Sequence, residues 1–162
     1  MKLNFDELWN YVIDLCGASR LGAHGPEHWA RVERNGLLII SENGGDPDIL
    51  RLFALFHDSQ RINDHMDPGH GARAARFAES LKGELSSISD EGFDLLLEAC
   101  EGHTDVIHHA EPTIQACWDA DRLDLPRVGI SPDPKYLNTP FAIRIAASED
   151  LGLLDREPLR RP

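Results

Sequence analysis

Apolar positions recur along this chain with helical spacing, and the gaps between runs carry glycine, proline and capping residues. Residues 5, 8, 9, 12, 13 and 15 line one face of a helix from Asn4 to Cys16, which Gly17 stops. Gly25-Pro26 opens a second helix, with proline at the first helical position, ending at Gly44-Gly45. Asp46-Pro47 caps a third, which runs through ILRLFALFHD. Asp67-Pro68 starts a fourth, ending near Lys82-Gly83, and Ser89, followed by Asp90 and Glu91, caps a fifth through FDLLLEACEGH. A sixth covers TIQACWDADRL, and Thr139-Pro140 opens a seventh, FAIRIAASEDLG, over about 139–151. No segment alternates in the manner of a strand, and there is no repeat or low-complexity stretch. The loop from Pro126 to Asn138, with three prolines and a glycine, is expected to be irregular but packed, and the closing REPLRRP to fray. The pattern predicts an all-α, single-domain bundle of about six to seven helices over residues 1–162.

Composition narrows the function. A chain of 162 residues with 41% hydrophobic content can bury a real core. No apolar run approaches the ~20 residues that span a bilayer. The opening MKLNFDELWNYV carries acids within its apolar pattern, unlike a signal peptide, so a cytoplasmic location is expected, with no membrane partner. A net charge of −12 argues against a nucleic-acid polymer as partner, which needs clustered Lys and Arg. The basic residues are three lysines and thirteen arginines, and an arginine in a site suits bidentate contact with phosphate. Cys16, Cys100 and Cys117 are odd in number and scattered, as expected of buried or incidental thiols in a reducing compartment.

The end of the third helix poses the chemical question. FALFHDSQRINDH, residues 53–65, runs from buried apolar residues straight into His57-Asp58. A carboxylate buried beside an imidazole is costly without a neutralising partner. GHGARA, residues 69–74, fits a loose G-x-G-x-x-[GA] pattern but follows no strand, so a dinucleotide-binding turn is excluded. P-loop, H-E-x-x-H, G-x-S-x-G and Glu-x-x-His patterns are absent. What remains is His28, His57, Asp58, His70, His103 and Asp121, placed on or at the ends of different helices, where a bundle can bring them to one interior point. Imidazole and carboxylate together suit Mn, Fe, Co, Ni or Zn as a divalent ion. Spacing alone leaves Asp119, Asp121 and Asp124 equally open to being a solvated face with Arg122. His65, His108 and His109 fall in polar loops.

HGPEHWARV, FALFHDS and DADRLDL, in that order, closely resemble the HD superfamily of metal-dependent phosphohydrolases over residues ~24–125. Its pattern is H…HD…D, with the first histidine in H-x-x-R-V and the last aspartate in A-D-R-L. The resemblance implies an α-helical fold and a divalent metal held by His28, His57, Asp58 and Asp121. His70 and His103 resemble the extra histidines of dinuclear members, in which Asp58 would bridge two metals, so one or two ions are implied, with two favoured. His24 resembles a polar residue near the family's pocket. Nucleotidase-type members carry an acid three residues after the HD aspartate, where this chain has Arg61. Arg61 suits a phosphate clamp better than a proton acceptor, which leaves the general base and nucleotide class open. The implied activity is hydrolysis of a small phosphate ester or anhydride, nucleotide-like in kind. Asp58 would be central to catalysis, Arg61 and Arg122 would bind phosphate, and Asp64 or His24 would shuttle a proton. Two other readings are a di-iron oxygenase and a non-catalytic metal- or ligand-binding module.

Overall fold

The helix that ends in His57-Asp58 is the buried axis of the molecule. The structure, a computed structural model, describes residues 4–17, 22–85, 87–148 and 150–161. Among these residues all regular structure is helical: α1 (Phe5–Cys16), α2 (Pro26–Asn43), α3 (Pro47–Phe56), α4 (His70–Ser80), α5 (Asp90–Gly102), α6 (Pro112–Arg122) and α7 (Pro140–Ser148), joined by short 3-10 turns. The expected all-α, single-domain bundle is what the chain forms. Of the expectations above, those for Met1–Leu3, Glu149 and Pro162 lie outside the described residues. No described helix is long and apolar enough to cross a membrane.

In α3, Ile49, Leu50 and every residue from Leu52 to Phe56 are buried, so only Pro47, Asp48 and Arg51 reach outward. Burying each of the large side chains contributes about 1.5–3 kcal/mol. Helices α2, α5 and α6 pack around it, α4 lies along α5, and α1 covers the α2 side with Trp9 edge-on to Trp29. The helix starts follow local chemistry. Asn4 and Glu7 form a capping box, Asp46 accepts from the N–H groups of Asp48 and Ile49, and Ser89 accepts from Gly92. Two glycines set the spacing between helices. A Cβ on Gly36 would lie 2.2 Å from Leu50, and one on Gly71 would lie 2.4 Å from the Cys100 carbonyl oxygen.

Three expectations need correction. The fourth helix begins at His70, not at Asp67-Pro68, and it ends at Ser80. Asp67 cannot cap it, because its carboxylate is bound by Arg73 at 2.6 Å and by the Ile62 N–H at 2.8 Å, and Gly69 turns the chain with φ +83°. Second, the loop after α6 contains 3-10 turns at Leu125–Val128 and Pro134–Tyr136 and is only partly packed, with Pro132 and Leu137 buried but residues 128–131 exposed. Third, the C-terminal residues are not simply frayed. Arg161 lies over Phe5 and Trp9 and donates to the buried Glu33 at 3.2 Å, sharing that carboxylate with Arg51. A buried carboxylate between two arginines is neutralised where one left unpaired would be costly.

Candidate metal centre

Four histidines from four parts of the chain turn the same nitrogen inward. His57, just past α3, has Nδ1 3.1 Å from the carbonyl oxygens of both Phe53 and Ala54. His70 Nδ1 lies 2.7 Å from the Asp67 carbonyl oxygen, and His103 Nδ1 lies 2.7 Å from that of Cys100. His28 Nδ1 meets Asp124 Oδ2 at 2.7 Å. Carbonyls only accept, so Nδ1 of the first three carries the proton and Nε2 presents a lone pair. The carboxylate does the same for His28. An outward hydrogen bond of this kind fixes the tautomer and ring orientation of metal-ligating imidazoles.

The inward nitrogens meet in pairs. His28 Nε2 and His57 Nε2 are 3.1 Å apart, and His70 Nε2 and His103 Nε2 are 2.9 Å apart. Two facing lone pairs would repel, and either a proton on one ring of each pair or a shared cation relieves that repulsion. Asp58 lies between the pairs, 2% exposed. Its Oδ2 is 3.6 Å from both His28 Nε2 and His57 Nε2, and its Oδ1 is 3.1 Å from His70 Nε2 and 3.8 Å from His103 Nε2. His28, His57 and Asp58 thus form one group able to hold a metal ion, and Asp58, His70 and His103 form a second. Asp121 from α6 adds Oδ1 to the first, 3.2 Å from His28 Nε2 and 3.9 Å from His57 Nε2. All six ligand candidates from the sequence therefore converge.

The buried carboxylates draw positive charge into the centre. Burial lowers the pKa of His28 and His103, but Asp121 and Asp124 beside His28 and Asp58 beside His103 outweigh it and raise both. Burial, only partly offset by Asp58 and Asp121, pushes the His57 imidazole down to about 3, so it stays neutral. For Asp58 and Asp121 burial acts to raise the pKa, but the surrounding imidazoles outweigh it and hold both carboxyls well below the usual range. Both remain ionised at neutral pH.

The neighbouring residues divide. His24 and Asp64 pair at 2.6 Å between Nδ1 and Oδ1, and Asp64 Oδ2 also accepts from the Ala23 N–H. The His24 ring lies 6.4 Å from that of His28, at the edge of the centre. Burial lowers the His24 pKa, and Asp64 opposes that in part. Arg61 reaches the centre, with Nη1 3.4 Å from Asp58 Oδ1 and 3.2 Å from His70 Nε2. Arg122 does not bear out the expected phosphate contact. Its Nη1 donates to the carbonyls of Ile107 and Tyr136 and its Nη2 to those of Val106 and His103, and it lies over Trp118, so the guanidinium ties two loops together. Asp119 is likewise structural. It accepts from the N–H groups of Asn138 and Thr139, the Asn138 amide and the Thr139 hydroxyl at the start of α7.

Sequence reasoning missed Arg31 and Arg127, whereas Asp124, three residues beyond Asp121 and near its face, is expected as a supporting partner and does hold His28 Nδ1. Arg31 Nε donates to Asp124 Oδ1 at 2.8 Å, on the carboxylate that orients His28. Arg127 donates to the carbonyls of Ala23 and Asp124, with Nη2 3.8 Å from Asp121 Oδ1. Arg31 lies 93 residues from Asp124 and Arg127 lies 104 from Ala23, so no local signal announces those two contacts, whereas Arg127 is only three residues beyond Asp124. In comparisons with known proteins, no family model, curated protein or solved structure matches the chain.

Proposed function

We propose that this protein is a metal-dependent phosphohydrolase acting on a small, nucleotide-like phosphate ester or anhydride. The observation that carries the reading is the inward Nε2 set of His28, His57, His70 and His103 around the two oxygens of Asp58. The sequence resemblance to HD phosphohydrolases supports the same reading. His28, His57, Asp58 and Asp121 would hold a divalent transition metal. When bound, such an ion supplies a water of lowered pKa and polarises a phosphoryl oxygen.

The chain's own groups do the rest. His24, fixed through Nδ1 by Asp64, presents Nε2 as a proton acceptor at the edge of the centre. Its lowered pKa keeps it neutral and able to accept at pH 7. Arg127 beside Asp121 and Arg61 beside Asp58 place positive charge on two flanks, where phosphate oxygens would lie. That local charge is needed, because a chain of net charge −12 repels an anionic substrate at long range.

The test is a screen of nucleotides and other phosphorylated metabolites for phosphate release by the Mn²⁺-loaded protein. The expected result is release from at least one compound, abolished by Asp58→Ala. Oxygen uptake by the iron-loaded protein, with no phosphate release from any compound, would contradict the proposal and favour an oxygenase.

A further inference from the structure

We propose that the centre holds a single metal ion, in the His28–His57–Asp58–Asp121 group, and that Arg61 serves as the fixed cation of the other half. This inference rests on the metal-centre reading above. The two halves share Asp58 but differ in charge. The first receives Asp58 Oδ2 and Asp121 Oδ1, two carboxylate oxygens from different residues. The second has only Asp58 Oδ1 with His70 and His103, and no carboxylate of its own among the described residues. Into that half comes Arg61. Its Nη1 lies 3.4 Å from Asp58 Oδ1 and against the His70 ring, 3.2 Å from Nε2 and 3.4 Å from Nδ1, so it crowds two of the three groups that would face a metal there. One carboxylate oxygen already facing a guanidinium is a poor partner for a divalent cation, and the two positive charges repel at short range.

Arg61 is held there. Its side chain is 7% exposed, Nε donates to the Asn63 carbonyl and Nη2 to that of His65. The loop carrying those carbonyls is itself fastened. Ile62 N–H donates to Asp67, His65 N–H donates to the Asn63 side chain, and Asp67 is paired with Arg73. The other nearby arginine behaves differently. Arg127 meets Asp121 only at 3.8 Å and contacts none of the four imidazoles, so it leaves the first group's ligand atoms accessible. Sequence alone favours two ions, because both extra histidines are present. The guanidinium between Asp58 and His70 reverses that preference.

The test counts Mn²⁺ bound per chain at saturation, by elemental analysis after removal of free ion, with electron paramagnetic resonance to detect coupled pairs. The wild type is expected to bind one equivalent and show no coupling. Arg61→Met, which keeps bulk and removes charge, is expected to bind a second equivalent on the order of a hundredfold more tightly than the wild type. Arg61→Met combined with His70→Ala is expected to return to one. Arg61→Gln takes the place of Arg61→Met if the latter loses the helical circular dichroism of the wild type. Two equivalents in the wild type, or one in a folded Arg61 variant, would overturn the proposal. No bound metal in the wild type would overturn the metal centre itself, an outcome distinct from a wrong count.

Discussion

Asp124 Oδ2 sits 2.7 Å from Nδ1 of His28, and this bond, 96 residues apart in sequence, aims the ring's other nitrogen at His57 and Asp121. Arg31 holds the second oxygen of the same carboxylate, so the aspartate cannot rotate away. Partners of this kind are typically worth 10–100-fold in metal affinity. Asp124→Ala is expected to weaken metal binding by about that factor with all direct ligands intact, read by competition with a chromogenic chelator. Unchanged affinity would show that His28 orients itself.

Asp119 and Asp121 are two residues apart on α6, and a helix turns them about 200° from each other. Asp121 faces the histidines, whereas Asp119 caps the start of α7. Asp121→Asn is therefore expected to lose metal and keep its fold. Asp119→Asn is expected to keep metal and lose about 2–3 kcal/mol of stability, since a buried carboxylate accepting from four donors is replaced by an amide. Urea unfolding and elemental analysis of both variants separate the outcomes, and a reversed pattern would refute the assignment.

Much of this was legible in the sequence. Proline, Asn, Asp and Ser at helix starts act locally, so α1, α2, α3, α5 and α7 begin where those residues place them. The start of α4 was misplaced because the capping capacity of Asp67 is consumed by Arg73, a contact that only the folded chain supplies. The six ligand candidates were legible because their residue types and order carry the motif. Arg122 was misread for the opposite reason. An arginine beside Asp121 looks the same in sequence whether it faces the site or four loop carbonyls.

Gly71 follows His70, and the missing side chain lets α4 meet the end of α5. A Cβ there would lie 2.4 Å from the Cys100 oxygen, 3.1 Å from that of Glu101 and 3.3 Å from His103 Cε1. Gly71→Ala is expected to destabilise the fold by about 1–3 kcal/mol, as overpacking does, and to push His103 out of register with His70. Thermal unfolding tests the first part. Histidine ring resonances in NMR spectra test the second, and unperturbed His70 and His103 signals would contradict it.

The His24–Asp64 pair predicts a pH effect. Burial lowers the His24 pKa, while the Asp64 contact raises it in part. Removing Asp64's charge therefore lets the His24 pKa fall further, and its neutral form persists to lower pH. If His24 accepts the proton, the acid limb of the pH–rate profile in Asp64→Asn moves to lower pH than in the wild type. An acid limb that moves up, or stays in place, would remove His24 from that role.

Asp58 is the residue on which both halves of the centre depend, since its two oxygens face different histidine pairs. The most direct measurement is the transition-metal content of the purified protein and of Asp58→Ala, with helical circular dichroism as the control for folding. The account predicts bound metal in the wild type and loss of nearly all of it in a folded Asp58→Ala. Full metal content in Asp58→Ala would contradict it.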